Sequence, residues 1–304
     1  MSTSPNPETP VTTRTIPNVR VTLLNHKDVV AALNSIPDPT NNSDPDTVST
    51  PSGGPGSPAD PTTSTETDNK SHILSPVALD TSWPYGCVGK IFAGRSPDFD
   101  NPIWFGTGVV VGPNVVLTAA RIFPWSEPNR YLRFVPAYRN GIHQLGDSYV
   151  SDIYGYGDSV TSVSGLDYMV CRLIEPLGRD WTGWIGTWAS GRISDYSTTE
   201  YSLLGYPAHP SSNPSGVYMD VQHEIRTKDI LQQGTSQGLR IYTDARALTG
   251  GEGGPLWALD GNRSRVIGVM SGPDANSVGG RLAVVAGGIA MVDLVKYGLQ
   301  NWPV

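Results

Sequence analysis

Short apolar runs interrupted by turn-forming residues dominate the chain from Pro76 onward, and they limit the folds that it can adopt. Most runs are rich in Val, Ile or Tyr, and Gly, Pro, Asn and Asp separate them. β-branched and aromatic residues suit a half-buried pleated sheet, and the residues between the runs favour turns. We therefore predict strands at Val88–Ala93, Phe105–Val111, Val115–Ala119, Tyr131–Val135, Tyr168–Ile174, Ser202–Tyr206, Leu239–Thr243, Leu256–Leu259 and Val266–Ser271.

The hydrophobic period lengthens near the C-terminus. Apolar residues recur there at the spacing of one helix face, at Ile289, Val292, Val295 and Leu299. Together with the preceding pair Gly287 and Gly288, this pattern predicts a helix over Ile289–Gln300. Many short strands followed by one terminal helix indicate an all-β barrel architecture.

The first 75 residues differ in composition from the rest. No Phe, Trp or Tyr precedes Trp83, whereas Pro, Ser, Thr, Asn and Asp are frequent. Such a segment buries too little apolar surface to offset the entropy of ordering it, so we predict a mostly disordered arm over residues 1–75. The exception is Val19–Ile36, where Asn25 is placed to cap a short helix over Lys27–Asn34, near residues 26–35. This helix is either a transient helix in a linker or a docking motif.

Charge and targeting signals exclude some classes of function. The net charge of −7 argues against non-specific nucleic-acid binding, and no apolar run reaches the length of a membrane span. Met1–Pro7 lacks the basic start and apolar core of a secretory signal, which predicts a cytoplasmic protein, with unconventional secretion left open. Cys87 and Cys171 lie in apolar runs, so we expect buried free thiols rather than a disulfide.

Several segments resemble those of the trypsin-like serine proteases. Gly106–Val111 (GTGVVV) and Asn114–Arg121 (NVVLTAAR) are similar to the histidine segment, Leu166–Val170 (LDYMV) to the aspartate segment, and Leu248–Trp257 (LTGGEGGPLW) to the nucleophile loop. Further segments resemble the glutamyl-endopeptidase-like branch, found in bacteria and fungi: Trp83–Tyr85, Trp181–Gly186, Leu204–Pro207 and Met291–Leu294. The resemblance implies two six-stranded antiparallel barrels with the active site between them, the first over about residues 76–178 and the second over about 181–304.

Two of the catalytic residues that the resemblance implies are replaced. Arg121 stands in the position of the histidine and Glu252 in that of the serine, whereas Asp167 keeps its identity. Gly250 and Glu252 match the positions whose backbone N–H groups form the oxyanion hole in the family. A guanidinium stays protonated and offers only donors, and a carboxylate is a poor nucleophile towards an amide.

These replacements predict a catalytically inactive homologue, a pseudoprotease. It would bind a peptide or protein partner in the former substrate cleft. The alternative is an active endopeptidase of the same family that uses non-standard residues. One form of that alternative is acid–base hydrolysis by Asp167 and Glu252, which an intervening Arg121 would oppose by keeping both ionised.

The charges of the replacements allow three arrangements of the site. In the first, Arg121 binds Asp167 and Glu252 at once and forms a latch between the barrels. In the second, Glu252 folds back onto the oxyanion-hole N–H groups and plugs the site. Both predict a lowered pKa for Glu252, and only the latch loses that lowering in Arg121→Ala. In the third, the side chains do not touch.

The specificity pocket of the family is matched by Met270, Ser271 and Gly272. A glutamyl endopeptidase has a histidine where Met270 stands, so the resemblance does not carry a preference for glutamate. The histidines lie in the arm or outside the catalytic segments, at His26, His72, His143, His209 and His223. None has the partners or spacing of a metal site, so we expect no metal and no other cofactor.

Overall fold

The structure is a computed structural model. It describes residues 19–35, 75–76, 81–95, 101–156, 162–197, 199–209, 213, 215–233, 237–260, 263–277 and 281–304. The strands are β1 (Arg20–Leu24), β2 (Ser75–Pro76), β3 (Val88–Arg95), β4 (Trp104–Gly112), β5 (Val115–Thr118), β6 (Arg130–Pro136), β7 (Ser148–Tyr156), β8 (Met169–Leu173), β9 (Gly186–Thr187), β10 (Tyr201–Gly205), β11 (Asp220–Ile225), β12 (Thr227–Gln233), β13 (Gly238–Arg246), β14 (Pro255–Asp260), β15 (Arg263–Pro273) and β16 (Leu282–Gly288). The α-helices are α1 (His26–Ser35) and α2 (Ile289–Asn301). Each strand predicted from an apolar run overlaps one of these strands.

Strands β3 to β8 form a closed barrel. Their order is β6-β3-β4-β5-β8-β7, and β7 closes the barrel by pairing with both β6 and β8. All of these pairings are antiparallel. Val109, Val116, Phe134 and Ile153 are fully buried, as expected of β-branched and aromatic residues in a barrel interior. The predicted six-stranded first barrel is confirmed.

The second sheet is a half-barrel rather than the closed six-stranded barrel that was predicted. Its order is β12-β13-β16-β15-β14-β10-β11-β2, with β9 beside β15. Only Arg226 separates β11 from β12 in the chain, and Glu224, the penultimate residue of β11, has a positive φ of 57°. The chain therefore bends and continues from one part of the sheet to its far edge, and among the described residues no hydrogen-bond ladder joins these two strands.

Both sheets contribute to one apolar core. Val109 and Ile153 of the first barrel and Leu204 and Val269 of the second belong to the same cluster of buried residues. Cys87 and Cys171 are buried free thiols, as predicted. The fold as a whole agrees with the predicted all-β architecture of two barrel-like sheets and a C-terminal helix.

Part of the predicted arm is folded against the body. β1 pairs in parallel with β7, with Arg20 opposite Asp152 and Leu24 opposite Tyr156, and it covers the part of β7 that does not pair with β6. Arg20 Nη2 lies 2.6 Å from Asp152 Oδ1. The sequence did not predict β1, because its pairing partner lies far along the chain. Of residues 1–75, only 19–35 and Ser75 are described, so the predicted disorder of the others lies outside the described residues.

Helix α1 lies where a short helix was predicted, and it is docked. Asn25 Oδ1 accepts a hydrogen bond from the Lys27 N–H at 2.9 Å, and the Val29 side chain is fully buried. α1 packs against α2, where His26 Nε2 lies 3.0 Å from Asp293 Oδ2. Neither helix in the described part of the chain is long and apolar enough to cross a membrane.

Helix α2 ends within one residue of its prediction but buries a different face. Its buried residues are Ala290, Met291, Leu294, Val295 and Gly298. Of the predicted stripe only Val295 is among them, and Ile289, Val292 and Leu299 are half-buried. The helix contacts β8, β16 and α1, so neighbours cover more of its surface than a single stripe would require.

Candidate active site

Two adjacent strands bring Arg121 and Asp167 together. Thr118 at the end of β5 pairs with Met169 at the start of β8. Arg121 follows β5 in a single 3₁₀ turn over Ala120–Ile122. Asp167 lies two residues before the start of β8. The antiparallel register therefore sets both residues beyond the same end of this strand pair.

Asp167 is fully buried and has three close contacts. Its Oδ1 accepts a hydrogen bond from the Arg121 backbone N–H at 3.0 Å, and its Oδ2 accepts one from Ser271 Oγ at 2.6 Å. Arg121 Nε lies 2.9 Å from Oδ2, although the Nε–H is not aligned for a hydrogen bond. The contact is therefore an ion pair, and the Arg121 side chain remains 21% exposed at its other end.

Burial dominates the protonation of Asp167. Removing the carboxylate from water raises the pKa of Asp167 to about 6, although Ser271 and the Arg121 charge act in the opposite direction. The Arg121 pair therefore compensates only part of the desolvation, as is common for buried ion pairs.

Glycines shape the loop that carries Glu252. Gly250 has a φ of 89° and Gly253 a φ of 82°, which is left-handed backbone that favours glycine. Gly251 N–H donates to Leu248 O at 3.0 Å, and Gly253 N–H donates to Met270 O at 2.8 Å. The first bond closes a turn within the loop, and the second fixes the loop against β15.

The Glu252 carboxylate folds back onto its own loop. Glu252 Oε2 accepts a hydrogen bond from the Gly250 N–H at 2.6 Å. Burial raises the pKa of Glu252, while the N–H groups of Glu252 and Gly250 and the charge of Arg121 oppose the rise. The expected lowering of this pKa was wrong, because desolvation outweighs these favourable contacts.

Arg121 does not bridge the two carboxylates. Among the described residues, Arg121 forms an ion pair with Asp167 and none with Glu252. The latch is therefore formed on one side only. The contact of Glu252 with Gly250 corresponds to the second arrangement, in which the glutamate plugs the pair of N–H groups.

Thr107 on β4 ties this loop to the first barrel. Its N–H donates to Glu252 O at 2.8 Å, and its Oγ1 donates to Gly250 O at 2.9 Å. The same Oγ1 accepts a hydrogen bond from the Tyr206 N–H at 2.9 Å, and Thr118 Oγ1 donates to Thr107 O at 2.6 Å. In the sequence Thr107 stands out only as part of a matching segment, so this role was not predicted.

The three specificity-pocket residues lie on β15 and pack against the site. Met270 is buried, and a Cβ atom on Gly251 would lie 3.1 Å from its Cε. Ser271 is fully buried and its hydroxyl is bonded to Asp167. A Cβ atom on Gly272 would lie 2.6 Å from Arg121 Nη1, so the guanidinium rests against the Gly272 backbone.

Lys90 is a second buried residue near the site that the sequence did not predict. It is only 2% exposed, and its Nζ donates to the carbonyls of Ser215 at 2.6 Å and Gly216 at 2.9 Å. The Nζ lies 3.9 Å from the centre of the Phe105 ring, and burial lowers the pKa of Lys90 to about 8. A Cβ atom on Gly250 would clash with this same ring, so Phe105 packs between Lys90 and the Glu252 loop.

The described histidines contact other parts of the molecule. His26 pairs with Asp293, His143 Nδ1 lies 3.7 Å from Asp147 Oδ1, and His223 Nδ1 lies 2.9 Å from Ser202 Oγ. His72 lies outside the described residues. Within the described chain, no group of three or more His, Cys, Asp or Glu residues could hold a metal ion.

Three solved protease structures are similar to this chain in fold. A Glu endopeptidase solved in complex with MPD has a TM-score of 0.58 and 17% identity, over 74% of this chain and 95% of that chain. The protease Anisep from Arthrobacter nicotinovorans has a TM-score of 0.51 and 18% identity, over 67% of this chain and 90% of its own. The thermostable serine protease AL20 from an extremophilic microorganism has a TM-score of 0.50 and 16% identity, over 67% of this chain and 91% of its own.

No protein-family model matches the sequence, and no curated protein matches it. The likeness to solved structures is one of fold alone at these identities. The chain therefore has the fold of the trypsin-like serine proteases.

Proposed function

We propose that this chain binds a peptide or protein segment in the cleft between its two barrels and does not hydrolyse it. The observation that carries the proposal is the contact of the Glu252 carboxylate with the Gly250 N–H at 2.6 Å. In the trypsin-like serine proteases, which the sequence resembles, the matching N–H group belongs to the oxyanion hole. The protein's own carboxyl group therefore takes up a hydrogen bond that would otherwise be open to the developing charge of a reaction.

The ion pair of Arg121 supports the same conclusion. Hydrolysis by this fold needs a base that accepts the proton of the nucleophile near neutral pH. Arg121 remains protonated throughout that range and has no acceptor atom. Its Nε lies 2.9 Å from Asp167 Oδ2, so a group that can only donate takes the position that the resemblance gives to the base.

The class of ligand is proposed from the fold and from the intact loop. The neighbouring structures are a Glu endopeptidase and two proteases, all of which act on peptide chains by name. Gly250 and Gly253 keep the Glu252 loop in a defined conformation, and Thr107 joins that loop to the first barrel. A cleft held in this way can recognise a peptide although its chemistry is disabled.

An active endopeptidase with non-standard residues is the second candidate. One observation favours it, because burial raises the pKa of both Asp167 and Glu252. A carboxylic acid with a raised pKa can act as a general acid near neutral pH. The Arg121 charge opposes this rise at both residues, which favours the first candidate.

Peptide hydrolysis and peptide binding by the same preparation test the two candidates. We expect the natural chain to bind members of a fluorogenic peptide library, measured by fluorescence anisotropy, without releasing the fluorophore. The revertant Arg121→His/Glu252→Ser should cleave peptides that the natural chain binds. The matched control Arg121→His/Glu252→Ala restores the base without the nucleophile and should not cleave them.

The outcome that contradicts the proposal is turnover by the natural chain. If Glu252→Gln and Asp167→Asn abolish that turnover while circular dichroism shows folded protein, the second candidate is correct. If neither the natural chain nor the revertant binds any peptide, the cleft is not a peptide-binding site.

A further inference from the structure

The Arg121 guanidinium is held at one end and open at the other. Its Nε lies 2.9 Å from Asp167 Oδ2 and is buried without an aligned hydrogen-bond partner. Neither Nη1 nor Nη2 is among the buried polar atoms that lack a partner, and no residue of the described chain accepts a hydrogen bond from either of them. The exposed 21% of the side chain therefore includes its Nη end, where most of the N–H donors of a guanidinium lie.

The Nη end lies between the two sheets. Arg121 follows β5 of the first barrel, and a Cβ atom on Gly272 of β15 would lie 2.6 Å from Arg121 Nη1. The guanidinium therefore reaches across to the backbone of the half-barrel. A Cβ atom on Gly106 would contact both Ile122 Cγ2, at 2.8 Å, and Glu252 O, at 3.0 Å. The turn that carries Arg121 and the loop that carries Glu252 are therefore neighbours.

The open end of Arg121 is the place that the latch would have given to Glu252. A guanidinium can bind two carboxylates at once through separate donors. Asp167 fills one of these two positions, whereas Glu252 Oε2 instead accepts a hydrogen bond from the Gly250 N–H at 2.6 Å. Arg121 therefore keeps donors for a carboxylate that the described chain does not supply.

We propose that the Nη groups of Arg121 bind a carboxylate of the peptide partner, at the position that Glu252 leaves unfilled. The planar fork of a guanidinium matches the two oxygens of a carboxylate. This carboxylate belongs either to an acidic side chain or to the C-terminus of the peptide. The inference deepens the proposed function and rests on it, because the open end of Arg121 lies in the same cleft.

The charge of the site favours an anion with a single charge. Asp167 and Glu252 contribute two carboxyl groups against one guanidinium, and the charge of Arg121 acts on both of them. A phosphate carries about two negative charges at neutral pH, so these groups would repel it more strongly than a carboxylate. The site also differs from the specificity pocket of the resemblance, because Arg121 stands in the position of the catalytic base.

Protection of Arg121 from phenylglyoxal tests the site. This reagent modifies guanidinium groups that reach solvent, and peptide mapping by mass spectrometry gives the rate at each arginine. We expect Arg121 of the natural chain to react in mildly alkaline buffer, and sodium acetate to slow its reaction saturably. Arg192 is exposed and serves as the internal control, whose rate acetate should not change. Sodium phosphate at equal ionic strength should protect Arg121 less than acetate does.

Removal of the Glu252 charge should strengthen this protection. Glu252→Gln keeps an oxygen that accepts the Gly250 N–H and removes the negative charge that acts on Arg121. The acetate concentration that half-protects Arg121 should therefore fall by about fivefold in this variant. Asp229→Asn removes an exposed carboxylate on β12 and is the matched control, in which that concentration should not change.

Two small probes distinguish the sources of the carboxylate. Nα-acetyl-glutamate α-amide carries it on the side chain alone, and Nα-acetyl-alanine carries it at the C-terminus alone. The probe that protects Arg121 at the lower concentration identifies the source. Protection by acetate and by neither probe overturns the assignment to a peptide. Equal protection by the neutral Nα-acetyl-glutamine α-amide overturns the role of the carboxylate.

The proposal is overturned if Arg121 does not react without acetate, or if acetate slows its reaction no more than that of Arg192. Protection by phosphate equal to that by acetate also overturns it, as does an unchanged half-protecting concentration in Glu252→Gln. Failure of the proposed function gives a different result. Peptide binding with an unprotected Arg121 removes the carboxylate site and keeps the cleft. Protection by acetate in a chain that binds no peptide keeps the carboxylate site and removes the proposed function.

Discussion

Replacement of Asp167 by Asn should remove a fall in stability that the natural chain shows between about pH 4 and pH 6. Burial raises the pKa of Asp167 from 3.8 to about 6. Between these values the folded state binds more protons than the unfolded state. The contribution of Asp167 to stability is therefore complete below the lower pKa and is lost as the pH rises through the upper one.

The size of the effect follows from the shift in pKa. A rise of about two units corresponds to about 3 kcal/mol, at about 1.4 kcal/mol for each unit. Asn at this position has no proton to exchange, so its curve should lack the fall of about 3 kcal/mol. The absolute stabilities can differ by a constant, because Asn alters the contacts with Arg121 and Ser271.

Urea denaturation at half-unit pH intervals from 4 to 8 measures this difference for the two proteins. Ser271→Ala is the matched variant, since the Ser271 hydroxyl holds the pKa of Asp167 down. In that variant the fall should extend to a higher pH. Arg121→Gln should act in the same direction because it removes the charge that opposes the rise.

The reasoning fails if the natural chain and Asp167→Asn give parallel curves from pH 4 to 7. Such a result would mean that the ion pair with Arg121 compensates the burial of Asp167 in full. If the stability of the natural chain instead rises across this pH range relative to that of Asp167→Asn, the ion pair with Arg121 overcompensates the burial of Asp167.

Other contacts of the fold give predictions of similar precision. Thr107→Val leaves Gly250 O and Tyr206 N without a partner and should lower the free energy of unfolding by about 2–4 kcal/mol. Thr107→Ser keeps both bonds and is the control. Equal free energies of unfolding for the two variants in urea titrations would contradict the role of the hydroxyl. Lys90 has a folded-state pKa near 8, below 10.5, so its contribution to stability should rise by about 3 kcal/mol between these pH values. Lys90→Met should lack this rise in denaturation curves, and an identical pH slope would refute it. Val29→Ala should weaken the docking of α1 by about 2 kcal/mol, because it removes a fully buried side chain. Proteolysis within residues 19–35 should then be faster, and an unchanged cleavage rate would contradict the docking of this segment.

The sequence predicted those features that depend on local pattern. Apolar runs such as Val88–Ala93 located strands because burial on a sheet requires β-branched residues in short stretches. Strand β12 was missed, since its sequence TKDILQQ places polar residues on an exposed edge. β1 was missed because its stability comes from pairing with β7, which no local pattern shows.

The candidate site was predicted in part for the same reason. Arg121 and Glu252 were recognised by their positions in matching segments, and the pairing of β5 with β8 brings Arg121 to Asp167. The direction of the Glu252 side chain was not predictable, because it depends on the competition between Gly250 N–H and Arg121 in a buried site. Lys90 was overlooked because a lysine in a strand usually faces solvent, and only the tertiary structure surrounds it with Phe105 and backbone carbonyls.

The docked N-terminal segment has a consequence for the order of folding. The contact of His26 with Asp293 spans 267 positions of the chain, so α1 meets its partner helix only after the strands of both sheets have been synthesised. Closing so long a loop is entropically costly and favours late formation. α1 can therefore dock on α2 only after both sheets have been made, whereas β1 can pair with β7 once the first barrel has been made. Until then the uncovered edge of β7 is available for incorrect pairing with other strands.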